Sequence, residues 1–416
     1  MRLSILFIIF LTSRVFGQVL TLEECYSLSR LNYPLINQND LINAVRDYSI
    51  ENVHSGRYPQ LTINGQATYQ SAVTRIPIDN PQFRVQPLAK DQYKVYADFS
   101  QSVYDGGMIR KSSELQEAAA TLESQKAEVD LYKLKDRINQ IYFGILLLEQ
   151  QQAQTIIIRK DLESSLNKIR ASVEAGVSLK MQADQVMAEM LKADQRIIEQ
   201  SAMREAYIKS LSLLTGKELT IETKFQTPDN AVTFPTEISR PEIKMFNDQR
   251  KLIGSQLALN LTRNQPKAGL FLQTGYGRPG LNLLVNEFQT YYLGGLRLNW
   301  NLSGLWNIQR DRKISELNMR MVDVQQQIFE LNTRIAANQF LSEISKLDAL
   351  IRLDEEIVVL RKQIRQAAQA QLDNGVISAN DYLRELNAED QASQNLLLHK
   401  IQRTLAQYNY SSAYGN

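Results

Sequence analysis

Hydrophobic and polar positions change their period along this chain, and they do so twice in the same order. Leu61, Ile63, Gly65, Ala67 and Tyr69 alternate with Thr62, Asn64, Gln66, Thr68 and Gln70, which predicts a strand over 61–70. Tyr93, Val95, Ala97, Phe99 and Val103 alternate with Lys94, Tyr96, Asp98, Ser100 and Ser102, a second strand over 93–103. The pattern returns at 268–276 and again at 291–302, where Tyr292, Gly294, Leu296, Leu298, Trp300 and Leu302 alternate with Leu293, Gly295, Arg297, Asn299 and Asn301. After each strand pair the period becomes helical. Ile314, Leu317, Met321, Val324, Ile328, Leu331 and Ile335 step by three and four, a heptad seam. The first copy shows Leu134, Ile138, Ile141, Ile145 and Leu148, then Leu162, Leu166, Ile169 and Val173.

The punctuation repeats with the pattern. Pro34 and Pro241 open the copies, Pro59 and Pro266 precede the first strand of each, and Gly107 and Gly304 stand where the strands give way to helix. Gly176 and Gly375 then end long proline-free stretches, in the matching turns Gly176-Val177-Ser178 and Gly375-Val376-Ile377-Ser378. Ser178 and Ser378 suit the N-caps of returning helices. The chain therefore reads as two tandem repeats, 18–238 and 239–416. Each has a strand hairpin and a long antiparallel helical hairpin: helices 107–175 and 179–214 in the first, 305–374 and 379–410 in the second. Thr21 followed by Glu24 is a capping-box signature for a helix running to about Asn32, and a second helix is expected from near Pro34 to about Gly56. The connector 215–238 lies outside these rods.

Strands of about ten residues are the length a tilted membrane strand needs. A water-exposed sheet with one wet face gives the same alternation. The first residues tilt the choice toward the membrane. Arg2, the apolar run Leu3–Leu11 and Val15-Phe16-Gly17 read as a cleaved secretory leader over 1–17. Four strands cannot close a barrel, and an open edge in lipid leaves backbone groups unpaired at several kcal/mol each. Strands must then be pooled, eight from two chains or twelve from three. The helices would be pooled with them into a tube roughly 100 Å long, from about seventy helical residues.

Composition narrows the picture further. The 47 basic and 45 acidic residues differ only by Arg2 and Arg14 of the leader, so nothing points to a nucleic-acid surface. Cys25 is the single cysteine, which rules out an intramolecular disulfide, and the residues before it do not suit a lipid anchor. His54 and His399 stand far apart without metal spacing or a nucleophile motif. No catalytic residue, metal site or cofactor is expected, and the chain does not read as an enzyme.

Several segments carry a family resemblance. Leu20-Thr21-Leu22-Glu23-Glu24 through Asn32-Tyr33-Pro34, Tyr58-Pro59-Gln60-Leu61, Gln101 through Gly106-Gly107, Leu213-Leu214-Thr215-Gly216, Arg240-Pro241-Glu242-Ile243 and Leu298 through Gly304 occur in the order and spacing of the TolC-like outer-membrane efflux proteins. The chain resembles that family over essentially its whole mature length. The resemblance implies an α+β membrane protein, a homotrimer with a twelve-stranded β-barrel and an α-helical periplasmic tunnel. It implies an outer-membrane exit duct of a tripartite efflux or secretion system, docked to a periplasmic adaptor and an inner-membrane pump. It also implies a constriction near the turn after the second glycine, lined by acids. Asp381 falls on such an acidic position, whereas Arg384 stands where a second acid is expected; Gln182 and Asp184 are the first-copy counterparts. Asp381 equally suits a carboxylate at a helix N-terminus. Gly106, Gly107 and Gly304 are the expected strand–helix junctions. Two other readings share parts of the pattern: a periplasmic adaptor, which normally has one helical hairpin, and a type I secretion conduit of the same fold.

Overall fold

The computed structural model describes residues 19–74, 87–228 and 235–415. The leader read over 1–17, Pro77 and Pro81 of the first hairpin loop, and part of the connector lie outside them. The described elements are α1 (Leu22–Asn32), α2 (Gln38–His54), β1 (Gln60–Tyr69), β2 (Asp91–Tyr104), α3 (Met108–Tyr132), α4 (Leu134–Glu174), α5 (Lys180–Thr215), α6 (Pro241–Thr262), β3 (Lys267–Arg278), β4 (Gln289–Asn299), α7 (Ile308–Asp373) and α8 (Ala379–Tyr414). The described residues form two compact units: those within 37–126 and 244–326, and those within 19–36, 127–243 and 327–415. Each unit draws on both sequence copies. No helix among the described residues is long and apolar enough to cross a membrane.

The first unit holds one antiparallel sheet in the order β1-β2-β3-β4. Its register turns four separate alternations into two continuous faces. Leu61 lies opposite Phe99, Phe99 opposite Leu272, and Leu270 opposite Leu296. Gln66 lies opposite Lys94 and Asp98 opposite Gln273 on the other face. A one-residue slip would mix the faces, so the hydrophobic pattern fixes the pairing. A bulge after Ser102 shifts the register at the helix-joined end of β2. The apolar face is bare: Ile63 is 74 % exposed and Leu296 80 %. The outer edges of β1 and β4 have no strand partner among the described residues.

The second unit is helical. One core gathers Leu22 and Cys25 of α1, Ile138, Tyr142 and Ile145 of α4, and Ile208 and Leu211 of α5. The Tyr142 hydroxyl lies 2.8 Å from the Leu20 carbonyl oxygen and 2.7 Å from that of Gln226, beside a parallel bridge between Leu20 and Phe225. A buried phenol oxygen thus finds its partners where the chain start meets the connector. The Thr21–Glu24 capping box forms as the sequence suggests. A second core packs Leu162 and Leu166 of α4, Val186 of α5, and Tyr382 and Leu386 of α8.

Two expectations change. The stretch read as one helix over 107–175 is α3 and α4, separated by a turn at Lys133. Lys133 still donates its N–H to the Val129 carbonyl at 3.3 Å, but its ψ opens to −19° and a new helix starts at Leu134, with no proline or glycine to mark the spot. The heptad seam of α7 is the other: Ile314, Leu317, Met321, Val324, Ile328, Leu331 and Ile335 are all exposed. The apolar positions of the first copy from Leu134 through Leu148 are buried within the chain.

Candidate functional site at the helical-hairpin turns

The two helical hairpins turn by the same device. Gly176 and Gly375 adopt φ of +73° and +70°. In a non-glycine residue that conformation costs roughly 1–2 kcal/mol, which explains glycine at both. The Val177 N–H donates to the Ser172 carbonyl at 2.8 Å, and the Val376 N–H to the Gln371 carbonyl at 2.8 Å. These are Schellman closures, which satisfy carbonyls left open at a helix end.

The returning helices start differently. Ser378 is the N-cap of α8: its hydroxyl accepts from the Asp381 N–H at 3.3 Å, and the Asp381 carboxylate accepts from the Ser378 N–H at 3.3 Å and from its hydroxyl at 2.7 Å. The hydroxyl bond is the main reason the Asp381 carboxyl sits below its ordinary range, with the Ser378 N–H next and the Arg384 charge a smaller contribution. Ser178 does not cap α5. Leu179 occupies the N-cap and makes no side-chain cap bond. Counted from the two glycines, Ser178 stands one residue too early, and Leu179 matches Ser378. Gln182 then matches Asp381, while Arg384 is matched by Gln185 and not by Asp184.

Arg384 forms no ion pair with Asp381 among the described residues. Its Nε lies 3.2 Å from Glu385, which also receives Arg361 at 3.3 Å. Asp184 and Arg384 are exposed. Gln182, Ser178 and Gly375 do come together, around a cleft of about 810 Å³ between the two turns that is also lined by Lys168, Asp373 and Asn374.

The strongest charged contacts here were not legible in the sequence. Lys168 of α4 lies 2.9 Å from Asp373 of α7, Arg196 of α5 lies 2.6 Å from Asp390 of α8, and Asp161 of α4 lies 3.5 Å from Arg365 of α7. All three join the first helical hairpin to the second. Arg365 also pairs with Glu389 at 2.6 Å inside its own hairpin. The Lys168 ammonium is the main reason that the Asp373 carboxyl sits below its ordinary range. Arg361 and Arg365, and Glu385 and Glu389, share a spacing of four on facing helices; that matching period was the available signal for the pairs within the second hairpin.

The strand–helix junctions also diverge between copies. Gly106 and Gly107 are left-handed, with φ of +70° and +82°, and Asp105 caps α3 by accepting from Gly107 at 2.9 Å and Ile109 at 2.6 Å. Gly304 lies in a short 3-10 turn, where a Cβ would strike the Asn264 side chain.

No family model matches the chain, and no curated protein matches it in sequence. Solved structures do. The channel CusC superposes with a TM-score of 0.69 at 15 % identity, over 95 % of this chain and 92 % of its own. The CmeC outer membrane channel of Campylobacter jejuni gives 0.66 at 14 % identity, over 95 % and 85 %. The outer membrane protein VceC of Vibrio cholerae gives 0.66 at 13 % identity, over 95 % and 96 %. With its paired strand hairpins, its paired helical hairpins and this likeness along nearly the full length, the chain has the TolC-like fold.

Proposed function

We propose that the protein is the outer-membrane exit duct of a tripartite efflux or secretion system, a passive conduit from periplasm to exterior. The observation that carries this reading is the sheet: a continuous apolar face left bare on four strands, with both edges open. Lipid accounts for the bare face, and closure with further copies accounts for the edges. Three chains supply twelve strands, and the exposed α7 seam supplies helix contacts between copies. The paired helical hairpins would then form the periplasmic tunnel. At their turns Val177, Leu179, Met181 and Val376 expose apolar side chains, which suits docking to a periplasmic adaptor coupled to an inner-membrane pump. The cross-hairpin pairs Lys168–Asp373, Asp161–Arg365 and Arg196–Asp390 hold the resting closure, with Asp381, Arg384, Gln182 and Asp184 beside it.

The test is extraction and reconstitution. The protein should require detergent, run as a trimer by light scattering, and insert conducting pores in planar bilayers. A folded monomer with its full strand content, soluble without detergent, would refute the duct.

A further inference from the structure

We infer that the barrel lumen favours anionic solutes, through a cationic groove formed by Lys267 and Arg297 at the helix-joined end of the sheet. This rests on the duct reading, which turns the polar face of the sheet inward. The register places Lys94 and Asp98 of β2, Lys267 of β3 and Arg297 of β4 on that face. They are its only charged residues among those described, three cations against one carboxylate. The chain without its leader is balanced in charge, so the excess is local.

None of the four forms an ion pair among the described residues. Lys267 reaches only the Met108 sulfur, at 3.6 Å. Arg297 lies over the Phe271 ring, 4.7 Å from its centroid, a contact that steadies the guanidinium and leaves its N–H groups free. The two cations border a groove of about 230 Å³ with Ser100, Ser102 and Asn299, all donors on the same face. Gly269 opens its floor, since a Cβ there would come within 2.8 Å of the Gln101 carbonyl oxygen. Asp98 lies opposite Gln273, six residues along β3 from Lys267, about 20 Å away and beyond the screening length of about 8 Å at physiological salt. The nearer Asp105 borders a second pocket with Lys267 and Arg263 and is held by the Gly107 and Ile109 N–H groups. Neither carboxylate neutralises the groove. Low-dielectric walls lined by one sign of charge raise the local concentration of the opposite ion. Chloride, carboxylates and phosphate esters fit this chemistry.

Reversal potentials of the full-length protein in planar bilayers, under a potassium chloride gradient, test the inference. The double variant Lys267→Gln/Arg297→Gln should lower the anion-to-cation permeability ratio severalfold, while Asp98→Asn raises it. Arg297→Lys should keep the wild-type ratio. Trimer content in detergent checks that each variant assembles. Pores that conduct but keep one ratio across the wild type, the double variant and Asp98→Asn overturn the inference and leave the duct standing. A protein that assembles but never conducts overturns the duct reading, and the inference with it.

Discussion

Asp390 of α8 lies 2.6 Å from Arg196 of α5, with only 4 % of the aspartate side chain exposed, and so fastens one sequence copy to the other. Arg196 itself is 38 % exposed and can rehydrate when its partner is lost. Asp390→Ala should therefore cost about 1.5–3 kcal/mol, the range for a hydrogen bond to a charged group, and less than the loss of a fully buried pair. The more exposed pair Lys168–Asp373 should matter less, under about 1 kcal/mol for Lys168→Ala. Thermal unfolding followed by helical circular dichroism in detergent gives the ranking. Equal losses would mean that burial does not set the worth of these pairs. Single-pore conductance of Asp390→Ala should rise with the trimer intact if the pair holds the duct closed.

Acid should loosen the turns within a defined window. Asp381 and Asp373 both have folded pKa values below the ordinary one, so the folded state prefers them ionised. Their contribution is complete above the unfolded carboxylate pKa of about 4. It is lost as pH falls through the lower folded values. Conductance should rise on acidification only below about pH 4, and Ser378→Ala should move the onset upward by removing the hydroxyl that holds Asp381. An onset well above that range would mean that other groups set the closure.

Surface labelling tests the orientation. A cysteine placed at Leu283, in the exposed β3–β4 loop, should react with an impermeant maleimide on intact cells, and one at Ser178 should not. Burial pushes the native Cys25 thiol up to about 12, so it stays protonated and adds no background. Labelling at 178 with protection at 283 would invert the topology.

The exposed seam of α7 gives the sharpest test of assembly. Val324 is 53 % exposed in the single chain, so Val324→Asp should leave helical content unchanged. It should abolish the trimer, because a charge at a seam position is buried against the next copy. A trimer that survives would place the interface on another face.

Local periodicities were the legible part. The alternation around Ile63, Val95, Leu272 and Leu296 is a property of short segments, and it sufficed to predict the strands and their common apolar face. Thr21 with Glu24 and Ser378 with Asp381 are three-residue signals, and both form caps. What stayed hidden depends on contacts across long sequence separations. Nothing near Lys168 announces Asp373, and nothing near Arg196 announces Asp390. Asp381 and Arg384 show the same limit: a spacing of three makes contact possible, but within the chain Ser378 and Glu385 are the nearer partners. Ser178 has the residue type of a cap but stands one position too close to Gly176, so Leu179 takes the cap.

The one-residue offset of Ser178 from the cap position leaves the two hairpins unequal in durability. The first turn of α8 is clasped by reciprocal bonds between Ser378 and Asp381, while that of α5 begins at Leu179 with no clasp. A missing cap weakens a helix start by about 1 kcal/mol, so α5 should fray first. Deuterium should enter the amides of Lys180, Met181 and Gln182 several times faster than those of Ala379, Asn380 and Asp381. Any widening of the duct would then proceed in sequence, with the first copy yielding while the second still holds its shape.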